Sequence, residues 1–480
     1  MRDHGTFTIL QPRIVMEDPH NCTDMAEALS VLEAVYDPLV RREGHRFAPA
    51  LATGWDVAEE GRLWRFHLRG GVRFHDGSPL DAAAVVATLE RMARPEMGVT
   101  LGAPGVWAQY LAGARIEASD AATVNLRLAR PMADLLDVLA QGYVAAPAVL
   151  ADPVARPCGT GAYVVETVAA DRIVARANPD HWRGPPPNGR LEWRLVANAG
   201  ERLAAFRAGA ADAATRLPAD VPAGGDVIAH MAPTTLIYLF NTLRGPLGDP
   251  RVRRALNLAL DRDALVRDVL GGAGVPLHGP FSPAHRGFVP AANPRPDREA
   301  ARALLVEAGH RGGLVIEVDT PTRLPDEAER LTAAVAAQLA PLGIRFDVRV
   351  IPDRTEYAHM VRRSEMRDMC VFDSSPLSTY RVLREKIDGR VKGSWWLGYS
   401  NPGVEALIDA AARETDEAAR DALFRRCHEA LVADPPWLFC YCHERRTAIR
   451  GGHAAAIRED AVLDPFALPA VGTGGAPWPS

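Results

Sequence analysis

No uninterrupted apolar window of about 18 residues occurs in the 480-residue chain, so nothing in it reads as a membrane-spanning helix. There is no basic excess either. Fifty-five Lys and Arg face 60 Asp and Glu, a net charge of −5, which argues against the basic footprint of a nucleic-acid binder. Cysteine is scarce, six residues at Cys22, Cys158, Cys370, Cys427, Cys440 and Cys442, and the spacings give no disulfide framework. Zinc ligands can be imagined from Cys427, His428, Cys440, Cys442 and His443, but paired C-x₂-C knuckles and an H-x₃-H spacing are missing; ordinary buried thiols are expected, and no metal. Also absent are the G-x-S-x-G elbow, the H-E-x-x-H helix, the phosphate loop and a Rossmann glycine pattern after a strand, so no cofactor is expected. A leader segment is missing as well: Met1-Arg-Asp-His-Gly runs directly into the strand-like Thr6–Leu10. The expected location is nevertheless periplasmic, which implies a leader removed beforehand; the alternative is cytoplasmic.

What is present is globular. Hydrophobic residues at 48% and charged residues at 24% suit a folded chain, and the length suits two or three lobes rather than one core. A strand Thr6–Leu10 leads through the polar loop Glu17–Asp24 into a helix Ala26–Tyr36. Alternation predicts a half-buried strand at Thr123–Leu128. After Thr242 the pattern becomes regular. Helices are expected at Arg251–Asp261, Asp297–Ala308 and Ala328–Leu339, and strands at Leu314–Val318 and Ile344–Val350, which together predict an α/β lobe with a mixed sheet. The tail from Ala470 is rich in Gly and Pro and is expected to pack poorly at its end.

The most informative stretch runs from Trp64 to Leu80, W-R-F-H-L-R-G-G-V-R-F-H-D-G-S-P-L. Its physics predicts two short β runs joined through Arg69-Gly70-Gly71, a turn at Asp76-Gly77, and a helix Asp81–Met92 with an acidic residue at its positive end. As a pattern it resembles the family 5 extracellular solute-binding proteins of bacteria, receptors that deliver peptides, nickel chelates or glycosides to ABC importers. Further segments resemble the family in its order: Val35–Leu39, Pro49–Trp55, Gly159–Tyr163, Asn178–Gly184, Phe240–Thr242 with Leu247–Leu256, Ala300–Gly309, Tyr399–Ile408 and Trp437–Tyr441. Together they span roughly residues 30 to 445.

The resemblance implies a two-lobed α/β fold of the periplasmic-binding-protein type (class II, cluster C) with mixed sheets and an extra subdomain. One lobe would take residues 1–34, 158–242 and 446–480, with 35–157 as the attached subdomain; residues 243–445 would form the other. It also implies a monomer without catalytic or nucleic-acid function that closes by a hinge on a small-molecule or peptide ligand and docks on ABC permease subunits. The ligand expected is a short peptide or amino-acid-like compound, with a glycoside or metal chelate as the alternative. A hydrolase on the same scaffold, with Cys158 or Ser374 as nucleophile, is the rival from another class.

By the same resemblance, Asp373 in Met369–Leu377 occupies the place of an acidic residue that holds a ligand ammonium. The Asp-Ser-Ser-Pro sequence can equally form an Asx-turn or a helix cap. Arg323 falls where the family grips a ligand carboxylate; a surface ion pair with Asp326 or Glu327 is its ordinary alternative. Ser374, Ser375, Ser378, Thr379 and Tyr380 read as a hydroxyl-rich wall suited to an amide, a sugar or another polar solute. Glu17, His20 and Asn21 lie in the loop after the first strand, which in the family borders the cleft. Trp395 and Trp396 cannot both face one core, so one is expected to wall the site; Trp107 is a further aromatic candidate.

Overall fold

A computed structural model describes residues 5–98, 105–292, 295–323, 325–374, 376–393 and 395–471. These divide into two compact units. One holds the described residues before Met231 together with those from Arg445 on; the other holds Met231–Glu444. The strands Val227–Phe240 and Trp437–Ile449 are the segments in which the chain passes from one unit to the other.

In the first unit, Thr6–Gln11 pairs in parallel with Arg190–Leu195 and with the short Ala213–Ala214; antiparallel Arg172–Ala177 and Tyr163–Val168 extend the sheet. Five of the six residues of Thr6–Gln11 are buried, as a strand with neighbours on both edges requires. A second sheet is antiparallel, in the order Ala52–Ala58, Leu63–Leu68, Thr123–Arg127, Arg115–Asp120. Its inner face is laid down by alternation: Trp64, Phe66 and Leu68 on one strand and Val124 and Leu126 on its neighbour are buried, as are Val85 and Leu89 of the helix Ala82–Met92.

That helix begins as the sequence predicts, with the Asp81 carboxylate accepting from the Ala84 amide at 2.9 Å. The hairpin before it is corrected. Leu63–Leu68 pairs with Ala52–Ala58 and Thr123–Arg127, both outside the signature, whereas the run after Gly71 makes only an isolated bridge, Arg73 to Pro79. The short-range turn signal is real, but the ladder bonds go to strands outside the signature.

In the second unit the sheet is mixed, as expected. Leu314–Pro321 lies parallel to Ile344–Ile351 and to Met369–Ser374, and Met369–Ser374 is antiparallel to Val227–Phe240. The helix Pro250–Ala259 starts at Pro250 behind an Asp249 cap and buries Val252, Ala255, Leu256 and Ala259. Ala328–Leu339 buries Leu331, Val335 and Leu339 on one stripe, and both helices join Tyr238, Phe240, Val318 and Val371 in a single core. No disulfide joins the six cysteines, and all six are buried. Among the described residues no helix is long and apolar enough to cross a membrane, and no His, Cys, Asp and Glu cluster could hold a metal ion.

Candidate ligand-binding site

Asp373 is the penultimate residue of Met369–Ser374, opposite Leu236 in the antiparallel register. The residues on either side are buried and Asp373 is half-buried, so the end of this strand holds a partly accessible carboxylate between buried neighbours. It is not a helix cap. The next helix starts at Thr379, and the Ser378 hydroxyl, accepting from the Arg381 amide at 3.1 Å, is its cap. Burial raises the Asp373 pKa, and the charges of Arg354, Lys386 and His443 work against that rise.

Arg354 and Lys386 sit on aromatic faces. The Arg354 guanidinium lies 4.6 Å from the Phe372 ring centroid, and Lys386 Nζ lies 5.2 Å from that of Trp395. The two rings are 4.2 Å apart at 41°, and Tyr357 stacks on Phe372 at 6.0 Å. Cation and ring attract through the ring quadrupole, which holds long side chains in place without removing their charge. Lys386 belongs to Val382–Ile387, a π-helical turn of the kind frequent at functional sites. Behind the site, His443 Nε2 lies 2.6 Å from Glu327, and the Tyr441 hydroxyl donates to the same carboxylate at 3.2 Å. The constellation therefore offers an anion, two anchored cations and a half-buried indole within one unit.

The other expected residues divide sharply. Arg323 is exposed, and the charge it faces is Asp353, the cap of Arg354–Arg362. Trp396 donates its indole N–H to the Tyr399 carbonyl at 2.6 Å under Lys392, so Trp395 is the tryptophan beside Phe372 and Asp373. The hydroxyl wall is corrected. Ser374, Ser378, Thr379 and Tyr380 are buried; the Ser378 hydroxyl is a cap and Thr379 donates to the Arg286 carbonyl at 2.8 Å. Ser375 lies outside the described residues. The Ser374 hydroxyl is buried with no hydrogen-bond partner among the described residues, and burial raises the pKa of the Cys158 thiol.

In the first unit, His20 is corrected from a ligand contact to an internal support, because it is wholly buried. Arg91 donates to its Nδ1 at 2.6 Å, and its Nε2 meets the Tyr143 carbonyl at 3.0 Å; as Arg only donates, the proton resides on Nε2. Arg91 also grips Asp18 at 2.5 and 2.9 Å. Burial and the Arg91 charge hold His20 down at about 4. Glu17 is half-buried, its pKa raised by burial, and Asn21 is exposed. Trp107 is a core residue, its ring wholly buried and its indole N–H without a partner among the described residues.

Residues 46–379 match the family model described as bacterial extracellular solute-binding proteins, family 5. The chain belongs to that family. The glutathione-binding protein GsiB of Pectobacterium atrosepticum is 26% identical over 464 residues, covering 91% of this chain and 86% of the relative. Di/tripeptide-binding protein 2 of Pseudomonas aeruginosa is 28% identical over 438 residues, covering 81% and 80%. In fold, the chain is similar to the periplasmic binding protein DppA of Helicobacter pylori, solved with a peptide (TM-score 0.78, 20% identity, 97% and 98% covered). The family and these relatives are binding proteins rather than enzymes.

The sequence carries little local sign that Arg354, Lys386 and His443 belong to the solute site. Arg354 follows a cap aspartate and reads as first-turn surface, and Lys386 lies in a turn whose widened period matches no helical stripe. His443 sits in a strand that reads as core.

Proposed function

We propose that this protein is the solute receptor of an ABC importer, working outside the cytoplasm and capturing a short peptide or amino-acid-like compound. The observation that carries the proposal is Asp373, a half-buried carboxylate at a strand end beside the Phe372–Trp395 pair and two ring-anchored cations. In this reading Asp373 holds the ligand ammonium, Arg354 and Lys386 face its carboxylate, and the Trp395 ring contacts its apolar part. The glutathione-binding and di/tripeptide-binding relatives support the same ligand class. Closure on the ligand, the capture mode of the family resemblance, is part of the proposal, as is docking on permease subunits.

The test is calorimetry with a matched set of di- and tripeptides in free, N-acetylated and C-amidated forms, guided by mass spectrometry of solute co-purified with the protein. Binding of a free peptide that disappears on N-acetylation is the expected result. Equal affinity for the acetylated form removes the ammonium role of Asp373, and a co-purified sugar or metal chelate replaces the ligand class.

A further inference from the structure

A second constellation in the Met231–Glu444 unit shares no residue with the one above. A cavity of about 360 Å³ is lined by Arg254, Arg262, His278, Arg295, Glu429 and the Phe439 ring, among others. That is within the size of a small-molecule site. Three arginines against one glutamate leave its lining positively charged.

Arg262 is the unusual member, a guanidinium only 3% exposed. Its Nε donates to the Phe439 carbonyl at 2.8 Å, Nη1 to the Asn257 and Leu260 carbonyls at 3.0 and 3.2 Å, and Nη2 to Asn257 Oδ1 at 3.0 Å. Every acceptor is neutral, and among the described residues no carboxylate pairs with it. Two of these carbonyls close the helix Pro250–Ala259, whose negative end offsets part of the charge. Four of the five N–H groups are thereby engaged, and one on Nη2 is left over. At the same cavity, His278 Nε2 is buried with no partner among the described residues. Burial, and then the Arg262 charge, keep this ring neutral, with its pKa at about 4. A buried cation is ordinarily matched by an anion, and a buried ring nitrogen by a hydrogen bond. A single ligand with two negative charges satisfies both demands.

We propose that this cavity binds a small dianion through phosphate or carboxylate oxygens, with Arg262 and His278 at its base and the exposed Arg254 and Arg295 beside them. This site is separate from the solute site and stands or falls without it.

The test uses the full chain labelled with ¹⁵N-histidine, the His278 signal being assigned through His278→Gln. Inorganic phosphate and succinate are titrated separately at constant ionic strength. A saturable shift of His278 with one of them is expected and says which oxygen chemistry the site takes. The double variant Arg254→Ala/Arg295→Ala, which keeps the buried Arg262, should weaken that response about tenfold. Asp373→Asn should leave it unchanged. A parallel reading without any variant at His278 is the rise in melting temperature with the same anion, which the double variant should reduce. Two results overturn the site: a His278 signal unmoved by either anion, or a response of equal midpoint in the double variant.

Discussion

At the scale of single residues, the site is decided by which charges reach Asp373. Arg354 and Lys386 do, each held over an aromatic ring, whereas Arg323 points its charge at Asp353. Asp373→Ala is therefore expected to cost on the order of 2–5 kcal/mol of affinity for a ligand carrying a free ammonium, because one partner of a desolvated charge pair is removed. Calorimetry giving an unchanged Kd refutes the role. The same comparison ranks the cations: Arg354→Ala should weaken binding of a peptide with a free carboxylate more than Arg323→Ala does. The opposite order would return the carboxylate to Arg323. Asp373 was legible in the sequence because it ends an apolar run, a local feature. The burial of His20 was not, since it depends on Arg91 and Tyr143, 71 and 123 residues away.

At the scale of elements, caps and stripes were readable because their causes are local. Asp81, Asp249 and Asp297 each stand one residue before a helix and accept from its first amides. Ala328–Leu339 has the bounds that its apolar spacing predicts. Strand partners are not readable, since a ladder joins segments with no sequence relation, which is why the expected partner of Leu63–Leu68 differs from the observed ones. The Gly-Thr-Gly turn at 159–161 shows a family motif acquiring a physical reason. A Cβ on Gly161 would stand 2.6 Å from the Ala34 carbonyl oxygen and 2.7 Å from the Tyr36 amide, both backbone atoms at the end of the helix Ala26–Val35. Backbone cannot yield as a side-chain tip can. Gly161→Ala should destabilise the first unit by about 1–3 kcal/mol, the range of an overpacked core. Urea unfolding with the same midpoint as the natural protein would mean that the turn can shift away from the helix.

At the scale of the whole molecule, buried histidines set the response to acid. His20 and His428 are almost completely buried, and burial holds both at about 4, well below the 6.5 of an exposed imidazole. Their stabilising contribution is complete above pH 6.5 and declines as the pH falls towards 4, because the unfolded chain takes up protons that the folded one refuses. By pH 5 each removes ~2 kcal/mol. Glu33 acts in the other direction. Burial and the neighbouring Asp460 and Asp464 carboxylates raise it to about 7, so its protonation below pH 7 returns ~2 kcal/mol. His278, also held at about 4 by burial, adds to the same loss, and the histidines together outweigh Glu33, so the melting temperature should fall between pH 7 and pH 5. His428 offers the cleanest variant. Its ring lies 5.5 Å from Phe281 and 6.0 Å from Phe288, and its Nδ1 has no partner among the described residues, so a leucine meets the same apolar walls. His428→Leu should flatten the acid slope by the share of one histidine. A slope unaltered in that variant would mean that the ring takes up protons in the folded protein as readily as in the unfolded chain, and that burial does not control its charge.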